Sequence, residues 1–238
     1  MSDRKDGHDL QRLLKPRQMN MIAIGGAIGT GLFVATGSSI STAGPGGSMI
    51  AYAVIGMAVY FVMTALGEMA TYRPVPGAFE TYSTDYIDPA FGFAMGWNYW
   101  YCSAMTVATE LVASAIVMKF WFPDSSSVMW SALFIALLLV LNMFSAKIFG
   151  EAEFWFAGIK VATIIIFLVV GVLMIIGVFK AESPGFSNWT AGEAPFVGGG
   201  FAIFSILMVA GFSFIGVEAT AIAAGECVDP EKTVPKAI

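Results

Sequence analysis

Four glycines, at positions 25, 26, 29 and 31, stand inside the apolar stretch Met19–Gly37, at the depth where a membrane-crossing helix would be mid-bilayer. Each costs a helix interior about 1 kcal/mol relative to alanine. So dense a cluster reads as a built interruption. An interruption frees backbone N–H and C=O groups that lipid cannot satisfy, so it persists only where it lines a cavity or meets a ligand. A half-helix starting near Thr30 would point N–H groups and a positive dipole end into that cavity, a setting for an anion such as a carboxylate. The competing reading is close packing of small residues against a neighbouring helix. A second apolar stretch repeats the feature. Gly211 and Gly216 bracket Phe212, Ser213 and Phe214, and Glu218 follows at membrane depth. Helices one and six are therefore expected to unwind at about Ala27–Gly31 and Gly211–Ile215, with the two breaks facing each other.

Three ionisable residues fall in or near the membrane, where each costs at least about 2.5 kcal/mol at the bilayer centre. Lys160 lies about two turns into its expected span. Desolvation disfavours an ammonium's charged form, which suits a lysine to carrying a proton, and snorkelling to the interface is the alternative. Glu218 reads as a gate or proton site, or as half of a structural ion pair. Glu110 shares a helix face with Thr106 and Val107, and either faces a central cavity or makes a structural hydrogen bond.

The elements that must hold these groups are apolar spans. Of 238 residues 57% are hydrophobic and 12% charged, with mean hydropathy +0.76. A soluble domain carries about twice that charge fraction. No charged residue occurs between Arg17 and Glu68. Six segments of near-spanning length are expected at about 19–39, 46–68, 92–122, 128–146, 154–179 and 197–225. The third is overlong and opens with Trp97, Tyr99, Trp100 and Tyr101. Trp121 and Trp130 flank the loop after it, as interface anchors do. In the loop 71–91, aromatics at 79, 82 and 86 alternate with polar residues at near-helical spacing, giving either a short interfacial helix or a solvated loop.

Residues 1–17 form a charged tail holding His8, the single histidine, which reads as a solvated residue rather than a proton relay. Residues 18–238 form the membrane domain. With the N-terminus inside, nine Lys and Arg fall on the inner side against Lys119 and Lys180 outside, so a cytoplasmic N-terminus is expected. The net charge of -5 and scattered basic residues argue against nucleic acid. Cys102 and Cys227 have neither metal nor disulfide spacing. No cleavable signal peptide, cofactor or metal site is read, and oligomeric state is not encoded legibly.

Five motifs in order carry a family resemblance. They begin at Gly26 (Gly-Ala-Ile-Gly-Thr-Gly-Leu-Phe), Tyr72 (Tyr-Arg-Pro-Val-Pro-Gly-Ala-Phe), Gly96 (Gly-Trp-Asn-Tyr-Trp), Phe149 (Phe-Gly-Glu-Ala-Glu-Phe-Trp-Phe-Ala-Gly-Ile-Lys) and Gly225 (Gly-Glu-Cys-Val-Asp-Pro-Glu-Lys-Thr-Val-Pro-Lys-Ala-Ile). From about Leu10 to the last residue the chain resembles amino acid permeases of the amino acid–polyamine–organocation superfamily, and among them looks most like bacterial lysine-specific permeases. The resemblance implies an all-α, leucine-transporter-like fold of two inverted five-helix repeats, usually twelve helices. This chain holds the first repeat plus helix six and looks truncated there. The resemblance further implies that Gly29, Thr30 and Gly31 bind a substrate carboxylate, and that carbonyls near Ala27, Phe212, Ser213 and Ile215 receive the α-ammonium. It makes Phe212 a gate, and it lines the side-chain pocket with Cys102 and Thr106. Lys160 matches the lysine that takes a sodium ion's place in proton-coupled relatives, and Glu218 matches an acidic position on the cytoplasmic side.

The leading reading is a proton-coupled amino acid importer of the inner or plasma membrane, a symporter of a cationic, lysine-like substrate working by alternating access. Its partners are the amino acid, protons and the bilayer. The second reading is a non-transporting membrane sensor or assembly partner made from a permease half. An intramembrane enzyme has little behind it, since there is no His cluster, no paired carboxylates in one span and no nucleophile elbow.

Overall fold

The computed structural model describes residues 14–75, 77–143, 146–179 and 185–237, with backbone only at 146, 147 and 149. Much of the N-terminal tail, including His8, lies outside the described residues, as does Lys180. Among the described residues the extended regular elements are all helical: α1 (Pro16–Gly26), α2 (Thr36–Tyr72), α3 (Ala78–Tyr86), α4 (Pro89–Met118), α5 (Ser127–Asn142), α6 (Ala146–Ile175), α7 (Gly199–Phe212), α8 (Ala219–Ala223) and α9 (Pro230–Ala237). The fold class is all-α and membrane-embedded, as expected. Among the described residues three helical runs, Pro16–Tyr72, Pro89–Met118 and Gly150–Ile175, are long and apolar enough to cross a membrane, and α5 and α7 are shorter apolar helices. None of α5 is buried, and Phe167 on α6 is 75% exposed. Water would penalise such surface by about 25 cal/mol per Å². Lipid does not, which is why the sequence tolerates it.

The first run holds two of the expected segments. They join at Gly44, whose φ of 75° and ψ of 170° interrupt α2 just before Pro45. Proline lacks an N–H and glycine alone reaches that backbone region cheaply. The overlong third segment is α4. It starts earlier than expected because Asp88 caps it, its carboxylate accepting the Phe91 N–H at 2.8 Å, with Pro89 in the first turn. The fifth segment, α6, begins at Ala146 rather than near Phe154. The polar pair Glu151 and Glu153 lowers hydropathy there without lowering helix propensity.

Contacts divide the chain into two compact units. One comprises the described residues within 14–20, 66–151 and 219–237. Here α3 packs on α4, and the loop helix expected as one of two possibilities does form. Gly92 lets Thr84 approach so closely that a Cβ would lie 1.9 Å from Thr84 Oγ1. Arg73 pairs with Asp85, Tyr82 donates to the Arg73 carbonyl at 2.8 Å, and the Phe79 and Tyr99 rings pack 5.4 Å apart. At the chain's ends Leu14 forms a parallel bridge with Cys227, through Leu14 N to Glu226 O and Val228 N to Leu14 O, both 3.0 Å. Arg17 reaches Glu151 at 2.7 Å.

The other unit comprises the described residues within 21–65 and 152–218. Its core is a stripe of small residues, Ala43, Ala51, Ala202 and Ala210 with Ile206, flanked by Tyr52, Ile55, Ile203 and Leu207. Small side chains let α2 and α7 approach closely, which is how helices gain dispersion energy in lipid. The interruption at Gly44 is satisfied by the 195–197 segment. Gly46 N and Gly47 N donate to Pro195 O at 2.9 and 3.3 Å, and Val197 N donates to Ala43 O at 3.1 Å.

Candidate functional site

Helix one breaks where its glycines cluster. α1 stops at Gly26, residues 27–29 turn, and the chain re-enters helix at Thr30 through a π-helical turn, Gly31–Ala35. Leu32 N and Phe33 N both donate to Gly29 O, at 3.2 and 3.3 Å, so the second half-helix takes its first carbonyl from the break itself. Its opening turn carries the positive end of the dipole.

Helix six breaks slightly later than expected. α7 runs through Gly211 to Phe212, and residues 213–218 form successive turns. Gly211 is an ordinary helical residue. The breaking glycine is Gly216, with φ of 108°, a conformation L side chains rarely adopt. Phe214 N, Ile215 N and Val217 N turn back onto carbonyls three residues earlier, at 3.1, 3.3 and 3.4 Å. The Gly216 N–H is taken by a Glu218 carboxylate oxygen at 2.8 Å. Glu218 thus answers a backbone donor freed by the break, a charge-assisted bond that lipid could not replace.

The two breaks dock on each other. A Cβ on Gly26 would fall 2.2 Å from Gly216 O, and one on Gly216 would fall 2.7 Å from Gly26 O. A Cβ on Gly31 would fall 2.4 Å from Ser213 Cα. Backbone meets backbone at both points, so the small residues pack closely at the places where the helices break. The glycines break the helices and also let the breaks touch.

Lys160 belongs to this construction. Its Nζ donates to Gly25 O at 2.9 Å, and the lysine is half-buried. Gly25 packs against α6 as well, where a Cβ would meet Ala157 Cβ at 2.8 Å and Glu153 Oε1 at 3.3 Å. The lysine sits 14 residues into α6, about 21 Å by helix rise, deeper along the helix than its position in the expected span.

Cys102, Thr106 and Glu110 stand on α4 in the other unit, in one row at four-residue spacing. Cys102 is exposed, and the Thr106 hydroxyl donates to the Cys102 carbonyl at 2.9 Å. Sequence reasoning missed Tyr52, whose hydroxyl lies 3.0 Å from Ser213 Oγ. A hydroxyl inside an apolar span was the available signal, but one tyrosine among many aromatics does not announce a partner 161 positions away.

Two interrupted helices docked at their breaks, with a lysine on the carbonyl side of one, give an all-α membrane architecture with discontinuous helices. Comparison with known proteins narrows it. Residues 18–238 match the amino acid permease family model, and the chain belongs to that family. It is 57% identical over 230 residues to the lysine-specific permease of Escherichia coli (strain K12), an alignment covering 96% of this chain and 47% of that protein. It is 48% identical to the histidine permease (97% of this chain, 49% of that one) and 48% identical to the lysine-specific permease (96% and 46%) of Lactococcus lactis subsp. cremoris (strain MG1363). The chain spans about half the length of the curated relatives it matches.

Proposed function

We propose that this chain forms the substrate-carrying half of a secondary active transporter that imports an amino acid, cationic and lysine-like, by proton-coupled alternating access. Residues 1–17 are its cytoplasmic tail and 18–238 its membrane domain, in the inner (plasma) membrane. The observation that carries the reading is the docking of the breaks at Gly26–Gly31 and Ser213–Gly216, with Lys160 bound to Gly25 O. The N–H groups of Gly29, Thr30 and Gly31 and the Thr30 hydroxyl receive the carboxylate. Carbonyls at Ala27, Phe212, Ser213 and Ile215 receive the α-ammonium, and Phe212 closes over it. Glu218 is available to a cationic side chain or to protons.

Coupling follows from Lys160. As an ammonium it ties α6 to the end of α1. On losing its proton to the inner side it keeps N–H groups but loses the charge that strengthens the bond. Helix one is then free to tilt, and substrate and proton leave together. A cation held in this way needs no sodium ion. The supporting facts are this bond and the family's lysine and histidine permeases. The test is uptake of radiolabelled lysine by the whole permease in proteoliposomes. An inward proton gradient should drive accumulation without sodium, and unlabelled lysine should compete best. Sodium-stimulated uptake, or better competition by a neutral amino acid, defeats the coupling or the substrate respectively.

A further inference from the structure

Three hydroxyls from three segments of the second unit meet beside the helix-six break: Thr36 at the start of α2, Tyr52 beyond its Gly44 interruption, and Ser213 in the break after α7. Thr36 Oγ1 donates to Leu32 O at 2.6 Å. Ser213 Oγ donates to Val209 O at 3.3 Å. Each hydroxyl owns one proton and accepts through two lone pairs. With the Thr36 and Ser213 protons placed on helix carbonyls, the Tyr52 proton is the one left to share. Its nearer acceptor is Ser213 Oγ at 3.0 Å, and Thr36 Oγ1 stands on the other side at 3.4 Å.

The surrounding surface is shaped for this contact. The Tyr52 ring lies 6.5 Å from that of Phe214, tilted by 49°. One turn further along α2, Gly56 makes room for Phe214, whose Cζ would be 3.3 Å from a Cβ there. Ser213 is 5% exposed, so water does not readily replace a lost partner. The tie also lands on the residue whose Cα abuts Gly31.

We propose that Tyr52 is a positioning residue: its hydroxyl holds the helix-six break at Ser213 against the second half of helix one, and so fixes where the Phe212–Ile215 carbonyls stand. The tie itself rests on geometry alone. Its consequence for substrate rests on the amino acid reading above. Moving the Tyr52 proton from Ser213 to Thr36 releases the helix-six break while keeping Tyr52 paired, a low-cost step for a segment that has to move during transport.

Amide hydrogen exchange on this chain in nanodiscs tests the tie without any substrate. Tyr52→Phe keeps the ring and its packing and removes only the hydroxyl. Exchange at the Ser213–Val217 amides should rise about fivefold, the worth of one neutral hydrogen bond. Ser213→Ala should do the same, and the double variant should do no more than either single one. Unchanged exchange, or accelerations that multiply in the double variant, overturns the tie. In the whole permease, Tyr52→Phe should raise KM for the amino acid about fivefold with kcat within twofold. An unchanged KM beside accelerated exchange overturns the positioning role. A whole permease that takes up no amino acid overturns the transport reading instead, and the exchange result still decides the tie.

Discussion

Lys160 Nζ and Ile28 N share one acceptor: both donate to the Gly25 carbonyl, at 2.9 and 3.3 Å. That carbonyl belongs to the last turn of α1, where the break leaves acceptors without helical donors. The lysine therefore repairs a helix end and carries a charge in the same act. Its tether to helix one is the single bond to the Gly25 carbonyl, and the charge of an ammonium strengthens it.

Removing the ammonium should separate these roles. Lys160→Ala in the whole permease is expected to lose proton-driven accumulation while retaining exchange of external for internal substrate. Proteoliposome uptake with and without a pH gradient measures both. Proton-driven accumulation equal to wild type would remove Lys160 from the coupling scheme.

The docking of the breaks makes a stability prediction. Gly26→Ala drives a Cβ into the Gly216 carbonyl at 2.2 Å, and a backbone atom cannot swing aside as a side chain does. Thermal unfolding in detergent should show a loss of about 1–3 kcal/mol. Gly216→Ala should cost at least as much, because its φ of 108° adds strain. Gly37→Ala meets nothing within 4 Å and should be neutral or slightly stabilising. Equal stability of Gly26→Ala and Gly37→Ala would contradict the docked geometry.

Gly29→Leu should abolish substrate binding by the whole permease and leave membrane insertion intact, since an isobutyl group blocks a carboxylate's approach to the backbone. Gly31→Leu is a poorer probe, because Ser213 Cα already occupies the space of its Cβ and folding suffers with binding. Undiminished binding by Gly29→Leu, read by scintillation proximity, would displace the carboxylate from this turn.

Glu218 offers a chemical distinction. Glu218→Gln keeps an oxygen for the Gly216 N–H and removes the charge, whereas Glu218→Ala removes both. The alanine variant should lose about 1 kcal/mol, from orphaning a part-buried donor, and the glutamine variant clearly less. If Gln keeps stability yet loses uptake, the carboxylate's charge serves transport. Equal destabilisation by both would mean the bond depends on charge alone.

Tyr82 gives a pH prediction outside the spans. Burial pushes its hydroxyl above the usual tyrosine range, against the lowering by Arg73 and with a small rise from Tyr86. The folded form therefore holds the proton more tightly than the unfolded form. That contribution is complete below about pH 10, the unfolded value, and is lost as pH rises through the higher folded value. Tyr82→Phe should flatten the alkaline limb of a stability–pH curve, and should cost about 1 kcal/mol at neutral pH by orphaning the Arg73 carbonyl it serves. An alkaline limb of unchanged slope would rule out Tyr82 as its source.

The spans, the break in helix one and the oddity of Lys160 were legible in one dimension because lipid is an unforgiving solvent. Apolar runs, clustered glycines and a lone charge each leave a local mark when the medium satisfies neither backbone nor ion. The break in helix six was legible only approximately. Gly211 and Gly216 look alike in sequence, and only contact with Gly26 and a positive φ selects Gly216. The start of α6 was hidden because Glu151 and Glu153 end an apolar run without ending a helix. What occupies the Gly25 carbonyl, why Glu218 sits two residues after Gly216, and that Tyr52 meets Ser213 were decided by the tertiary structure. Those are pairings of one donor with one acceptor across up to 161 residues, and a hydrogen bond leaves no periodicity for a sequence to show.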